Sequence, residues 1–190
     1  MAGTKDRFLD ASAELFRVQG YSGTGLKEIA ARAEAPWGSM YHFFPGGKEQ
    51  LASEAVLAAG EKYRTAFARL FEAVPDPIEA MARVFRNEVA VLEASDFRDG
   101  CPIASTALDV ASTVEGVRSA CAQVFSDWSN EIAKALLRVG VAPREAGDIA
   151  DFVLSTLEGA IILARTSRSA APLRAAEKGT ALALANALKR

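Results

Sequence analysis

Apolar positions recur along this chain at helical spacing, and no stretch shows the period-two alternation of β-branched and aromatic residues that marks a strand. Between Thr4 and Gln19 the apolar residues Phe8, Ala11, Leu15 and Phe16 fall on one side of a helix, with Thr4 predicted as its N-cap and Gly20 as its left-handed stop. A second, short helix is predicted after Gly25, turning Leu26, Ile29 and Ala30 inward. Ala33-Glu34-Ala35 interrupts the pattern, and Pro36 opens a third helix, because proline is preorganised for a first helical turn. Pro45-Gly46-Gly47-Lys48 is a turn signal, and a long fourth helix is predicted from Lys48 to about Glu72. Breaks at Pro75-Asp76-Pro77, Asp99 to Pro102, Gly140 to Pro143 and Ser167 to Pro172 divide the remainder into about five more helices. The expected fold class is all-α, with about nine helices.

Composition narrows the chemistry. The 190 residues are 50% hydrophobic and carry a formal net charge of -2, so the chain can fill a sizeable core but advertises no overall basic field. The charged N-terminus does not read as a secretory signal, and apolar runs such as Gly159 to Ala164 fall far short of the roughly 20 residues a span requires. A cytoplasmic location is expected. His42 is the sole histidine and Cys101 and Cys121 are the only cysteines, which leaves little for a catalytic triad or a multi-ligand metal site. We expect no metal, cofactor or catalytic residues.

Two short helices joined by a tight turn, the second with polar and aromatic tips, is the arrangement that places a helix in a DNA major groove, although any small helical bundle contains such a corner. The residues Gly20-Tyr21, Thr24, Ile29-Ala30, Gly38 to Pro45 and Lys48-Glu49 resemble the N-terminal domain of the TetR family. Ala35 to Leu51 together with Gly100 to Ala104, Glu158 to Arg165 and Pro172 to Arg174 are similar to its LmrA/YxaF-like branch. The resemblance implies a helix-turn-helix domain over residues 1–47, a ligand-binding and dimerising domain over 48–190, and a repressor released from a near-palindromic operator on double-stranded DNA by a small apolar or aromatic effector.

Residue by residue, the resemblance assigns base reading to Trp37, Gly38 and Ser39 and phosphate contacts to Thr24, Tyr41, His42 and Lys48. Their hydroxyl, imidazole and ammonium groups suit phosphate oxygens. Met40 and Phe44, four apart, are expected to hold the third helix on its core. Two positions depart from the family pattern: Trp37 stands where the branch commonly has Arg, and Glu34 where the family usually has Gly in a turn that calls for a left-handed backbone. The first fifty residues carry six basic and six acidic side chains, so affinity must rest on local placement and avidity.

Further on, Phe67, Phe85, Phe125 and Trp128 fall on inward faces and are candidates either for core or for the lining of an apolar effector cavity. The last two helices, about Arg144 to Thr166 and Leu173 to Leu188, show small residues, and Thr156, Gly159, Ala160, Leu163, Ala176 and Thr180 are the expected homodimer contacts implied by the family. The alternative to effector sensing is a thiol-based redox regulator using Cys101 or Cys121.

Overall fold

The computed structural model describes residues 3–110 and 112–189. Among them are nine helices and no strand: α1 (Thr4–Gln19), α2 (Leu26–Arg32), α3 (Trp37–Phe43), α4 (Gly47–Ala73), α5 (Pro77–Ala94), α6 (Pro102–Val110), α7 (Glu115–Arg138), α8 (Pro143–Ser167) and α9 (Ala171–Ala187). Boundaries depart from the sequence expectation by one or two residues. At the first, Gly3 rather than Thr4 is the N-cap, and its N–H donates to the Asp6 carboxylate at 3.1 Å. The Asp6 carboxylate reaches back to the N-cap backbone, the acidic half of a capping box, while no side chain caps the first-turn N–H groups.

Contacts gather the chain into two compact units: 1–62 with 101–125, and 63–100 with 126–190. In the first unit, α1 packs against α2 and α6, and α2 against α3. Its core is aromatic: Phe8, Phe16, Phe44, Ile29, Met40 and Leu51 are fully enclosed, with the Phe8 and Phe44 rings edge to face at 6.0 Å. Gly60 is needed there because a Cβ would lie 2.3 Å from Val124 Cγ2, so α4 and α7 approach only across a glycine. Burying such side chains stabilises each by about 1.5–3 kcal/mol.

In the second unit, α9 packs on both α5 and α8. Asp76 caps α5 by accepting from the Ile78 N–H at 2.9 Å, with Pro77 in the first turn. Met81, Val84, Phe85 and Leu92 of α5 are buried, as are Val153, Leu157 and Ile161 of α8 and Leu173 and Leu184 of α9. The proline breaks read from the sequence are the helix starts here, since a missing N–H is harmless in a first turn.

Candidate nucleic-acid interface

α2 ends in a Schellman turn. The Ala35 N–H donates to Ala30 O and the Glu34 N–H to Ala31 O, both at 3.1 Å, with Glu34 left-handed at φ 48°. That is the glycine-favouring position the sequence pointed to, occupied by glutamate. Pro36 then caps α3 and accepts from the Ser39 N–H at 2.9 Å. Met40 and Phe44 are wholly buried and fix the inner side of α3.

The outer side is a different surface. Trp37 is 40% exposed and Tyr41 52%, and their rings meet edge to face at 5.8 Å. Gly38 and His42 are exposed beside them, and Ser39 is half-buried. Open space lies where a Gly38 Cβ would stand, so a backbone or base edge can come close. One turn of helix thus presents an indole N–H, a phenol and an imidazole around a bare stretch of backbone.

The phosphate candidates are placed unequally. Thr24 is 1% exposed, and its hydroxyl donates to Gly20 O at 2.6 Å, closing the α1–α2 turn. This corrects its assignment as a phosphate contact: its one donor is turned inward. Lys48 is half-buried at the start of α4, its ammonium 4.2 Å from the Tyr21 ring centre. Burial lowers its pKa, and Asp109 acts in the opposite direction. Asp109 of α6 also accepts from the Ser22 N–H and hydroxyl, at 2.6 and 2.9 Å. Sequence reasoning missed this clamp, because the partners lie 87 residues apart and neither has a local signature.

Of the effector candidates, Phe67 and Trp128 meet edge to face at 5.8 Å, with Tyr63 also against Trp128 at 5.5 Å. Phe85 is buried on α5 in the same unit, whereas Phe125 belongs to the other. A separate open cavity of about 390 Å³ on the second unit is lined by Arg64, Asp127, Asn130, Glu131, Lys134 and Leu137 among others. Glu131 is buried there; burial raises its pKa, but hydrogen bonds from Lys134 and Arg64 outweigh it and leave the carboxyl below its ordinary value. Cys121 is buried and desolvation pushes its pKa up to about 11. Cys101 is half-buried, its Sγ accepting the Ala104 N–H at the start of α6. Among the described residues no group of three or more His, Cys, Asp or Glu side chains could hold a metal ion, and no helix is long and apolar enough to cross a membrane.

The dimer candidates also divide. Thr180 is 1% exposed and Ala160 is buried, so neither stands out on the surface of its subunit. Thr156, Gly159 and Ala176 are half-buried, and Leu163 is 60% exposed. Phe152, Ile162 and Leu182 are exposed as well, and the sequence reading passed over them because a lone apolar residue on a long helix reads as core.

A short helix anchored by two buried side chains, following a tight turn and offering aromatic and polar tips outward, is the arrangement of a helix-turn-helix unit. Two family descriptions match: "Bacterial regulatory proteins, tetR family" over residues 8–55, and "Transcriptional regulator LmrA/YxaF-like, C-terminal domain" over 77–179. The chain belongs to the TetR family of DNA-binding transcriptional regulators, in its LmrA/YxaF-like branch. It is 33% identical over 170 residues to the regulator YxaF of Bacillus subtilis, covering 90% of this chain and 89% of that one. A helix-turn-helix regulator of Mycobacterium tuberculosis is 36% identical over 178 residues, covering 91% and 90%. The solved structure of a regulatory protein TetR from Rhodobacter sphaeroides has the same fold, with a TM-score of 0.78 at 24% identity over 94% of this chain and 97% of that one.

Proposed function

We propose that this chain is a homodimeric, ligand-responsive repressor that reads a near-palindromic operator with α3 and is released by a small apolar or aromatic effector. The observation that carries the reading is the outer edge of α3, where Trp37, Gly38, Tyr41 and His42 are all exposed while Met40 and Phe44 lock the inner side. The exposed ring of Trp37 packs edge to face on Tyr41 rather than into the core beneath α3. In the major groove, the indole face would pack on thymine methyls, since one N–H cannot make the paired guanine contact that Arg makes. Tyr41, His42 and Lys48 would position the backbone. Residues up to 47, helped by Lys48 at the start of α4, carry the reading, and the remainder of 48–190 the sensing and assembly.

Assembly is assigned to the outer faces of α8 and α9, where Leu163 and Leu182 are 60% and 69% exposed and Phe152 and Ile162 stand near them in sequence on α8. A two-fold dimer reads two half-sites and so gains the specificity a single short helix lacks. Sensing is assigned to the aromatic set around Trp128. An effector acts only through different affinities for the DNA-competent and released states. The cytoplasm is the expected compartment. Thiol sensing has one observation in its favour, the placement of Cys101 at a helix start; the buried Cys121, with its raised pKa, is poorly suited.

The test is selection of bound fragments from random DNA by purified protein, repeated with small aromatic compounds and read alongside Trp128 fluorescence. Recovery of a palindrome, lost with compounds that quench Trp128, is the expected result. No enriched sequence, or release only by oxidant and only when Cys101 is present, would contradict it.

A further inference from the structure

The left-handed Glu34 sits at the hinge of the reading unit, and something must hold it there. A side chain with a Cβ in this conformation is disfavoured by roughly a factor of ten relative to the right-handed region. The turn after α2 has its two Schellman bonds, but these satisfy the carbonyls of Ala30 and Ala31 and do not engage the Glu34 carbonyl. That carbonyl accepts from Arg7 Nη1 of α1 at 3.0 Å, across 27 residues of sequence. Arg7 Nη2 donates at 3.3 Å to Thr4 Oγ1, so the guanidinium is tied to its own helix while it reaches the turn. The next residues are Ala35, restricted by the proline that follows it, and Pro36, the cap of α3. Fixing the Glu34 peptide therefore fixes the direction in which α3 leaves α2.

We infer that Arg7 is a positioning residue for the DNA-reading helix: it fastens the strained Glu34 turn to α1, a fastening that glycine at position 34 would make dispensable. A charge-assisted hydrogen bond from a planar fork with two acceptors suits this role, and lysine or glutamine cannot reproduce it. The inference rests on the DNA-reading proposal only for its consequence in binding; the contact itself belongs to the free protein.

The experiment is a double-mutant cycle on the full chain with Arg7→Ala, Arg7→Gln, Glu34→Gly and the Arg7→Ala/Glu34→Gly pair. Amide exchange at Glu34 and Ala35 is measured in the free protein, and affinity for a selected operator at two salt concentrations. Arg7→Ala and Arg7→Gln should each speed exchange at these two amides about tenfold and weaken operator binding by about 5- to 20-fold. In the Glu34→Gly background the same loss of Arg7 should change both readouts less than twofold. If Arg7 is instead a plain phosphate contact, exchange will be unchanged, the salt dependence of binding will become shallower, and Glu34→Gly will rescue nothing; that result overturns the inference. Should no variant, nor wild type, select any DNA, the DNA reading fails, while the exchange cycle still decides for or against the Arg7 contact.

Discussion

Two of the exposed apolar surfaces of this molecule, on α3 and on α8 and α9, are built differently. On α3 it is a pair of aromatics, Trp37 and Tyr41, each ending in a hydrogen-bonding group and standing beside an exposed histidine and glycine. On α8 and α9 it is chiefly aliphatic, with Ile162, Leu163 and Leu182 joined by Phe152. The first kind suits a partner that is wet, charged and chemically varied along its length; the second suits a partner as apolar as itself. On the proposed function, polar handles on exposed aromatics distinguish the reading surface from the assembling one, although both would count alike as hydrophobic patches.

The largest expected effect separates the inner from the outer side of α3. Phe44→Ala should destabilise the first unit by about 3–5 kcal/mol, read as a lower unfolding midpoint, because it empties a site that is wholly buried. Trp37→Ala should leave that midpoint alone; an equal loss in both variants would erase the distinction on which the reading depends. Next in size, Leu163→Arg should weaken dimerisation by about 2–4 kcal/mol in sedimentation experiments, with the subunit fold intact. Gly159→Arg offers the same test, since nothing in its own subunit lies within 4 Å of the added Cβ. A dimer unmoved by either change would place assembly elsewhere.

Smaller effects sharpen the picture. Trp37→Ala should reduce specific binding by about 1–3 kcal/mol per half-site while non-specific binding stays close to wild type. Thr180→Val should leave assembly unchanged and raise stability by up to about 1 kcal/mol, because the Thr180 hydroxyl is buried with no hydrogen-bond partner. Loss of dimer in that variant would restore Thr180 to the interface. Cys121, with its pKa near 11, should resist iodoacetamide at pH 8 and react only as the pH rises toward that value. Rapid alkylation of Cys121 at neutral pH in folded protein would reopen its claim as a redox sensor.

How much of this was legible in the sequence follows from the range of each interaction. Helix breaks at proline and glycine are local, so the helices among the described residues could be read closely, whereas the left-handed turn at Glu34 followed from the family resemblance, which has glycine there. The two sides of α3 were legible because Met40 and Phe44 share a face four residues apart. Thr24 was given a phosphate contact and Thr180 a dimer contact, and both are buried, because a hydroxyl's direction depends on which carbonyl or helix comes near in space. Asp109 on Ser22, Arg7 on Glu34 and Gly60 under Val124 join segments far apart in the chain, and each depends on tertiary placement that periodicity does not encode.

The central claim, that α3 reads DNA from Trp37 onward, is tested most directly by selecting operators in parallel with wild type and Trp37→Arg. The account predicts a palindrome for both, with thymine favoured by wild type at one symmetric pair of positions and guanine by the variant. It also predicts weaker wild-type binding when deoxyuridine, which lacks the methyl group, replaces those thymines, and a steeper salt dependence for the variant, whose dimer carries two added cations. Identical preferred sequences for the two proteins, with deoxyuridine tolerated throughout, would show that Trp37 does not face the bases and that another edge of the molecule does the reading.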